Sequence, residues 1–279
     1  MSLTSGQLDE IAPGVRRLVA RNPGFMTGPG TNTYLVGTDR FAVIDPGPHD
    51  PVHIERILEV AGGRVTAVLA THTHPDHSPG VAAIAKSTGA EVLGRGAPVS
   101  GRQDATFAPT RVLSDGDVVR ADELALRAIH TPGHASNHLC YLLEGTGMLF
   151  SGDHVMQGST VVIGPPDGNM QLYLQSLARL QREPVTSIAP GHGTVIEDAQ
   201  AELARLIAHR LQREAKVVER LRRAGRATLD VLVVSVYDDV DPRLHPVAKG
   251  SLLAHLLKLE ADGRAARDTG IDATWWMKE

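Results

Sequence analysis

The sequence predicts a mixed fold of the α+β class, in which two β-sheets lie between layers of helices, and three observations support this. Short β-branched and apolar runs, each bounded by Gly, Pro or Asp, recur through the first two thirds of the chain. Helical patterns separate several of these runs, so helices and sheets can cover each other's apolar faces. Beyond residue 197 the strand pattern stops and one long helical pattern takes its place.

The first two thirds of the chain contain the predicted strands and the first predicted helices. The strands are the short apolar runs at residues 33–36, 41–44, 65–71, 91–93, 124–129, 139–143 and 148–150. The helices, in which apolar residues recur three or four positions apart, cover residues 51–61, 80–88 and 169–181.

The last third of the chain is predicted to be mostly helical. The long helix that begins at residue 197 ends at Gly225, and two further helices cover residues 227–237 and 246–260. Residues 268–277 are predicted to close as a pair of short strands. We therefore predict a first domain of residues 1–205, and a second of residues 206–279 that consists of a connecting helix and a small helical unit.

Composition excludes several classes of protein. The apolar fraction of 42% and the charged fraction of 22% are those of an ordinary water-soluble globular protein. One cysteine cannot form an internal disulfide, and the amino terminus lacks the pattern of an export signal, so a cytoplasmic location is expected. The apolar stretches are too short to cross a bilayer, so no membrane partner is expected. The net charge of −4 gives no general attraction for nucleic acids.

The strongest chemical signal is a cluster of ligand-type side chains in residues 70–80. It contains His72, His74, Asp76 and His77, placed where an apolar strand gives way to a helix. Histidines at alternate positions of an extended segment point the same way, whereas the turn at Pro75 can bring Asp76 and His77 to a second point. The segment therefore predicts two adjacent sets of nitrogen and oxygen ligands.

Three further candidate ligands, His134, Asp153 and His192, follow apolar strands and stand beside Gly or Pro. Each alone is more often an ordinary turn residue, but together with the first cluster they complete a set of seven donors. Without a nearby cysteine, such donors suit zinc, iron or manganese. Most of the remaining histidines are expected on the surface or in packing roles, although His154, next to Asp153, could reach a substrate. Cys140 is expected to be a core residue.

This pattern, His72-x-His74-x-Asp76-His77 followed by His134, Asp153 and His192, resembles the metallo-β-lactamase superfamily over roughly residues 15–200. The resemblance implies an αββα sandwich with two divalent metal ions, with zinc expected and manganese or iron as alternatives. By this resemblance His72, His74 and His134 would hold the first ion. The second would be held by Asp76, His77 and His192, Asp153 would bridge the two, and Asp45 would orient a ligand histidine.

The implied activity is hydrolysis of an ester, thioester or phosphodiester by a metal-bridging hydroxide, with Asp76 as the catalytic proton acceptor. The resemblance identifies no substrate-binding residue. Three alternatives stay open at this point: an endoribonuclease acting on single-stranded RNA, a mononuclear iron enzyme similar to persulfide dioxygenases, and a non-catalytic interaction protein with a vestigial site. The substrate is therefore expected to be a small molecule or single-stranded RNA.

Four further segments resemble one branch of the superfamily, the lactamase-like protein 2 group related to glyoxalase II. They are residues 30–37, 131–134, 168–177 and 209–214. This group carries a winged-helix-like domain after the sandwich, and its characterised animal member is similar to an endoribonuclease. The branch of true lactamases that carries a cysteine near position 153, and the diiron flavoproteins, which replace His74 by a carboxylate, fit less well.

Charge bears on the nucleic-acid alternative. Residues 205–226 carry eight basic and two acidic side chains, so this helix could follow a phosphate backbone or could simply be a solvated face. Residues 227–263 carry six acidic and three basic side chains, which does not predict sequence-specific DNA binding. We expect this tail to pack against the sandwich, to shape the substrate cleft or to form a homodimer.

Overall fold

The computed structural model describes residues 3–270 and 272–278, so the parts of the predicted domains at residues 1–2, 271 and 279 lie outside the described residues. The first sheet runs in chain order, antiparallel from its first to its fourth strand and parallel from there on. Its strands are β1 (Leu8–Ala12), β2 (Val15–Val19), β3 (Asn32–Val36), β4 (Phe41–Ile44), β5 (Val65–Leu69), β6 (Glu91–Gly94) and β7 (Arg111–Val112).

The second sheet has five strands in the order β12-β11-β10-β9-β8, and only β12 pairs in parallel. These strands are β8 (Val118–Ala121), β9 (Leu124–His130), β10 (Leu139–Leu143), β11 (Met148–Gly152) and β12 (Ser187–Pro190). Helices α1 (Pro51–Val60) and α2 (Val81–Thr88) cover the first sheet, whereas α3 (Met170–Leu180) and the start of α4 (Ala199–Ala224) cover the second.

Strand β3 illustrates why the central strands are apolar on both faces. All five of its residues are buried. Tyr34 and Val36 belong to the cluster between the sheets, whereas Leu35 belongs to the cluster beneath α1 and α2. Alternate residues of a strand point to opposite faces, so a strand covered on both sides needs apolar residues on both faces. The two polar residues at the start of β3, Asn32 and Thr33, are buried with their side chains donating to the carbonyls of Pro190 and Asp45. The layer order helix, sheet, sheet, helix confirms the predicted αββα sandwich within the α+β class.

A smaller carboxy-terminal unit follows the sandwich. It contains helices α5 (Leu229–Val236) and α6 (His245–Ala261), a short 3₁₀ turn (Pro242–Leu244) and a three-stranded sheet in the order β13 (Arg226–Ala227), β15 (Trp275–Met277), β14 (Ala265–Arg267). Trp275 is 1% exposed and lies in the core that these helices form with the second half of α4. Strand β15 falls inside the predicted strand pair of 268–277, but its partner β14 lies just before that range.

Helix α4 joins the two units without a break. Leu203 and Leu206 near its start pack into the core under the second sheet, whereas Val217 and Leu221 pack into the carboxy-terminal core. The helix ends at Gly225, as predicted, with φ of 70°. Because α4 crosses residues 205 and 206, the domain boundary placed there stays a prediction.

Several strands were missed by the sequence patterns. Strand β2 has Arg16 and Arg17 at its centre, and the apolar pattern therefore breaks there. Arg17 is nevertheless buried, because it pairs with Asp9 on the neighbouring strand β1.

Among the described residues, no helix combines the length and apolar character that a membrane span requires.

Candidate metal centre

The seven predicted ligands lie at one edge of the sandwich, on loops that follow strands of both sheets. His72, His74, Asp76 and His77 follow β5, and His134 follows β9. Asp153 and His192 follow the parallel neighbours β11 and β12. Since the sandwich brings these strand ends together, side chains up to 120 positions apart in the chain, from residue 72 to residue 192, meet at a single site.

The first group consists of His72, His74, His134 and Asp153, whose donor atoms all lie within 4.8 Å of one another. His74 Nδ1 lies 2.9 Å from His72 Nε2 and 2.9 Å from His134 Nε2. One oxygen of Asp153, Oδ2, lies 3.8 Å from His134 Nε2. Three imidazole nitrogens and one carboxylate oxygen therefore surround one point.

The second group consists of Asp76, His77 and His192, whose donor atoms also lie within 4.8 Å of one another. His192 Nε2 lies 3.3 Å from Asp76 Oδ2, and His77 Nε2 lies 3.5 Å from the same oxygen. The other oxygen of Asp153, Oδ1, lies 3.3 Å from each of these two nitrogens. Asp153 thus faces the first group with Oδ2 and the second group with Oδ1.

In four of the histidines, the ring nitrogen that points away from the centre donates a hydrogen bond. The nitrogen that faces the centre therefore carries no proton in the neutral ring. His134 Nδ1 donates to the Val162 carbonyl at 2.8 Å, and His192 Nδ1 donates to the Gly30 carbonyl at 3.3 Å. His77 Nδ1 donates to the Asp45 carboxylate at 2.9 Å. In the neutral ring, each Nε2 is therefore unprotonated and directs its lone pair toward the centre.

The same reasoning assigns His72. Thr71 has a single hydroxyl proton, which it donates to Asp45 Oδ2 at 2.7 Å. His72 Nδ1, 3.0 Å from that hydroxyl oxygen, must therefore be the donor, and its Nε2 is a lone pair as well. The arrangement is that of metal-binding histidines, whose outer nitrogen is oriented by an acceptor.

The electrostatics of the two groups differ. Burial lowers the pKa of His72 well below its ordinary value, and neighbouring imidazoles lower it further. Burial also lowers the pKa of His77, but the negative charges of Asp76, Asp153 and Asp45 have the larger effect and hold that pKa well above its ordinary value. The second group therefore carries an excess of negative charge that requires protons or a cation.

The donor set fits metal ions. Among the described residues, neither His77 Nε2 nor Asp153 Oδ1 has a hydrogen-bond partner although both atoms are buried, which is costly unless a further bound group completes them. Asp76 is the most accessible carboxylate of the set, with a side chain 28% exposed. His154 is fully buried between the rings of His138 and Tyr173, so the expectation that it could reach a substrate is wrong.

Two features near the centre were missed by the sequence analysis. His138 stacks on His72 with ring centroids 5.1 Å apart, and its Nδ1 lies 2.9 Å from the Thr131 hydroxyl. Gly191 has no room for a side chain, because a Cβ there would lie 2.7 Å from Asp153 Oδ1. The position of Gly191 between the end of strand β12 and the predicted ligand His192 was the sequence feature that could have identified it.

The basic face of α4 is largely neutralised. Of the eight basic side chains in residues 205–226, seven lie on α4 and one, Arg226, lies on β13; five of the eight pair with carboxylates, which belong to Glu202, Asp238, Asp239 and Asp268. The acidic tail thus supplies most of the partners for the basic helix.

Helix α6 also packs on the sandwich, where Ser251 accepts a hydrogen bond from the Ile163 amide at 3.3 Å.

Comparison with known proteins agrees with this geometry. Residues 26–192 match the metallo-beta-lactamase superfamily, and residues 228–275 match the beta-lactamase associated winged helix domain. A protein of Aspergillus chevalieri named atrochrysone carboxyl ACP thioesterase is 34% identical over 278 residues, which cover 93% of this chain and 85% of the relative.

Two solved structures extend the comparison. A beta-lactamase domain protein from Burkholderia ambifaria superposes with a TM-score of 0.83 at 25% identity, covering 99% of this chain and 95% of that one. A protein crystallised in a di-iron-bound form is 26% identical, with a TM-score of 0.53 over 66% of this chain and 96% of its own. The chain belongs to the metallo-beta-lactamase superfamily, and it is a hydrolase of that family with a carboxy-terminal winged helix domain.

Proposed function

We propose that this protein is a dinuclear metal-dependent hydrolase that cleaves an acyl thioester. The observation that carries the proposal is the position of Asp153, whose two oxygens face two separate groups of histidines. A carboxylate between two cations lowers their mutual repulsion, so this placement favours two ions over one. The relative crystallised in a di-iron-bound form supports the choice of two ions. The relative named as a thioesterase supports the choice of a thioester substrate.

In this proposal His72, His74 and His134 hold the first ion, Asp76, His77 and His192 hold the second, and Asp153 contacts both. Zinc is the expected metal, and manganese or iron suits the same donors. Two bound divalent ions would polarise the scissile carbonyl and make a water molecule acidic enough to act as the nucleophile near neutral pH.

The chain's own residues then orient the site and move a proton. Asp45 holds the His77 ring through Nδ1, and the Val162 carbonyl holds the His134 ring in the same way. Asp76 is the proton acceptor in this proposal, because it is the carboxylate of the site that solvent and substrate reach most easily.

The test combines metal counting with a substrate panel. We expect about two ions per chain, and we expect hydrolysis of short acyl thioesters to exceed that of matched oxygen esters, phosphodiesters and an RNA oligomer. A content of one iron with sulfur oxidation would instead support the dioxygenase alternative. Cleavage of RNA that weakens steeply with salt would support the ribonuclease alternative.

The variants sharpen this test. Asp76→Ala and His77→Ala are expected to remove both turnover and part of the metal content. Thioester hydrolysis that persists in a metal-free sample would overturn the proposal.

A further inference from the structure

A cavity of about 300 Å³ lies between the sandwich and the carboxy-terminal helices. Its apolar wall includes Phe25 and Met26 from the loop before β3, Met156 from the loop after β11, and Val240 and Val247 from the carboxy-terminal unit. Phe25 and Met26 are 72% and 53% exposed, although they are large and apolar. A volume of this size is at the lower end of the range for small-molecule sites.

The cavity adjoins the metal centre through one loop. Val162 lines the cavity, and its carbonyl accepts the hydrogen bond from His134 Nδ1. Met156, which also lines the cavity, follows Asp153 by three residues. The loop therefore orients His134, a predicted ligand, with its backbone and forms part of the cavity wall with its side chains.

The cavity wall also contains a buried cation without a counterion. Arg210 is only 3% exposed and lines the cavity. Its Nη2 donates to the Val161 carbonyl, and its guanidinium lies 5.3 Å from the Tyr173 ring centre. Its Nε has no hydrogen-bond partner in the part of the chain that the structure describes. Within residues 3–270 and 272–278, no carboxylate forms an ion pair with it.

The neighbouring arginine shows the contrast. Arg213, one turn further along α4 and also lining the cavity, is neutralised by Asp239 through two hydrogen bonds of 2.8 Å. His209 lines the cavity as well, and burial together with the adjacent arginines lowers its pKa to about 4, so it is uncharged at neutral pH. Among the described residues of this wall, Arg210 is therefore the charged side chain without an ion-pair partner.

Two more buried polar atoms of the lining, His209 Nδ1 and Tyr237 Oη, have no hydrogen-bond partner among the residues that the structure describes. Burying a charge or a polar group without a partner is costly, and a ligand that supplies the missing partner recovers that cost. Guanidinium groups bind anionic oxygens with strong, charge-assisted hydrogen bonds.

We infer that this cavity recognises an apolar part of the substrate that carries an anionic oxygen group, and that Arg210 is the residue that selects for that group. This inference rests on the proposed function for its link to turnover, because it assumes that the reacting carbonyl lies at the metal centre and that the rest of the substrate extends from there to the cavity. The binding itself is independent of hydrolysis and is tested without it.

The experiment compares two fluorescent probes on the metal-loaded full-length chain. 8-Anilinonaphthalene-1-sulfonate has an apolar body with a sulfonate, whereas N-phenyl-1-naphthylamine has the same rings without it. Arg210→Gln is expected to weaken the Kd of the sulfonate probe at least tenfold and that of the neutral probe less than threefold. Equal weakening of both probes, or no effect on either, would overturn the inference.

Matched controls separate charge recognition from a structural effect. Arg223→Gln removes an exposed arginine of the same helix and should change neither Kd by more than twofold. Arg210→Lys keeps the positive charge and should restore part of the selectivity for the sulfonate. If Arg210→Gln does not fold, Val247→Trp provides the test, since an indole at the cavity rim should weaken both probes, and unchanged binding would overturn the inference.

Competition identifies the anionic group. Decanoate and decyl phosphate share one chain length and differ in the head group. Displacement of the sulfonate probe by either supports the inference and names the preferred head group, whereas displacement by neither overturns it. If the Arg210 dependence holds while no thioester is cleaved, the proposed function fails and the binding site stands, so the two are distinguishable.

Discussion

Replacing Asp45 by Asn should weaken metal binding, because it should move the proton of His77, a predicted ligand, from the ring nitrogen that faces Asp45 to the nitrogen that faces the centre. Asp45 is 2% exposed and accepts three hydrogen bonds. Its Oδ1 accepts from the Thr71 amide at 2.7 Å. Its Oδ2 accepts from the Thr71 hydroxyl at 2.7 Å and from His77 Nδ1 at 2.9 Å.

An amide cannot accept all three bonds. If its oxygen keeps the Thr71 amide, its NH₂ faces His77 Nδ1, which must then become an acceptor and move its proton to Nε2. That nitrogen faces the metal centre, so it loses its lone pair for a cation. If the amide is flipped, its NH₂ faces the Thr71 N–H instead, and one buried donor stays unsatisfied at a cost of about 1–3 kcal/mol.

We therefore expect Asp45→Asn to reduce metal affinity by about 10–100-fold, the usual loss when the partner of a ligand histidine is removed. Asn is the right substitution because Asp45 has φ of 49°, a left-handed conformation that Asn tolerates and most other residues do not. Metal content after dialysis against graded concentrations of chelator measures the effect. Thermal denaturation of the metal-free variant measures the cost in stability.

Asp122 offers a matched control. It has φ of 50°, and it accepts hydrogen bonds from the amides of Thr38, Asp39 and Arg40 at the opposite end of the sandwich. Asp122→Asn should lower stability and leave metal affinity unchanged. If Asp45→Asn retained two ions with unchanged affinity, the assignment of protons to the ring nitrogens would be refuted.

Three further predictions concern packing and pH. Gly133→Ala would place a Cβ 2.4 Å from Tyr173 Cα at φ of 148°, so urea denaturation should show that the free energy of unfolding falls by about 3 kcal/mol or more. The control Gly145→Ala has open space around its Cβ and should lower the free energy of unfolding by only about 1–2 kcal/mol, through backbone strain. Burial alone would lower the pKa of His192, but the neighbouring carboxylates raise it to about 9, above its unfolded value. The metal-free chain should therefore hold this stabilisation fully below about pH 6.5 and lose it as pH rises through 9, and denaturation midpoints that do not depend on pH would contradict this. Trp275→Ala should destabilise the carboxy-terminal unit by about 3–5 kcal/mol, measured by urea denaturation, and a smaller effect on the sandwich would separate the two units.

The patterns that predicted the fold were strongest where burial is two-sided. The apolar runs of β4, β10 and β11 were found because both faces of these strands are covered. Strand β2 was missed because its central arginines break the apolar run, and the pairing that buries Arg17 comes from a residue on another strand. Strand β12 was missed because four residues ending in proline carry little signal of their own.

Arg210 shows how a local pattern can misassign a side chain. In the sequence it is one of eight basic residues in a predicted helix, and no local pattern distinguishes it from the other seven. In the structure it is buried against Val161 and Tyr173, whereas Arg222 and Arg223 of the same helix are exposed. Which face of a long helix is covered depends on units that lie before and after it in the chain.

The sequence by itself determined the chemical types of the site and their local order, because spacing and turn residues are local properties. His72, His74, Asp76 and His77 could be assigned to two adjacent points from the strand and the turn alone. Only the tertiary structure decided which nitrogen of each ring faces the centre. The acceptors that orient His134 and His192, the carbonyls of Val162 and Gly30, lie 28 and 162 positions away and meet their rings only when the sheets pack.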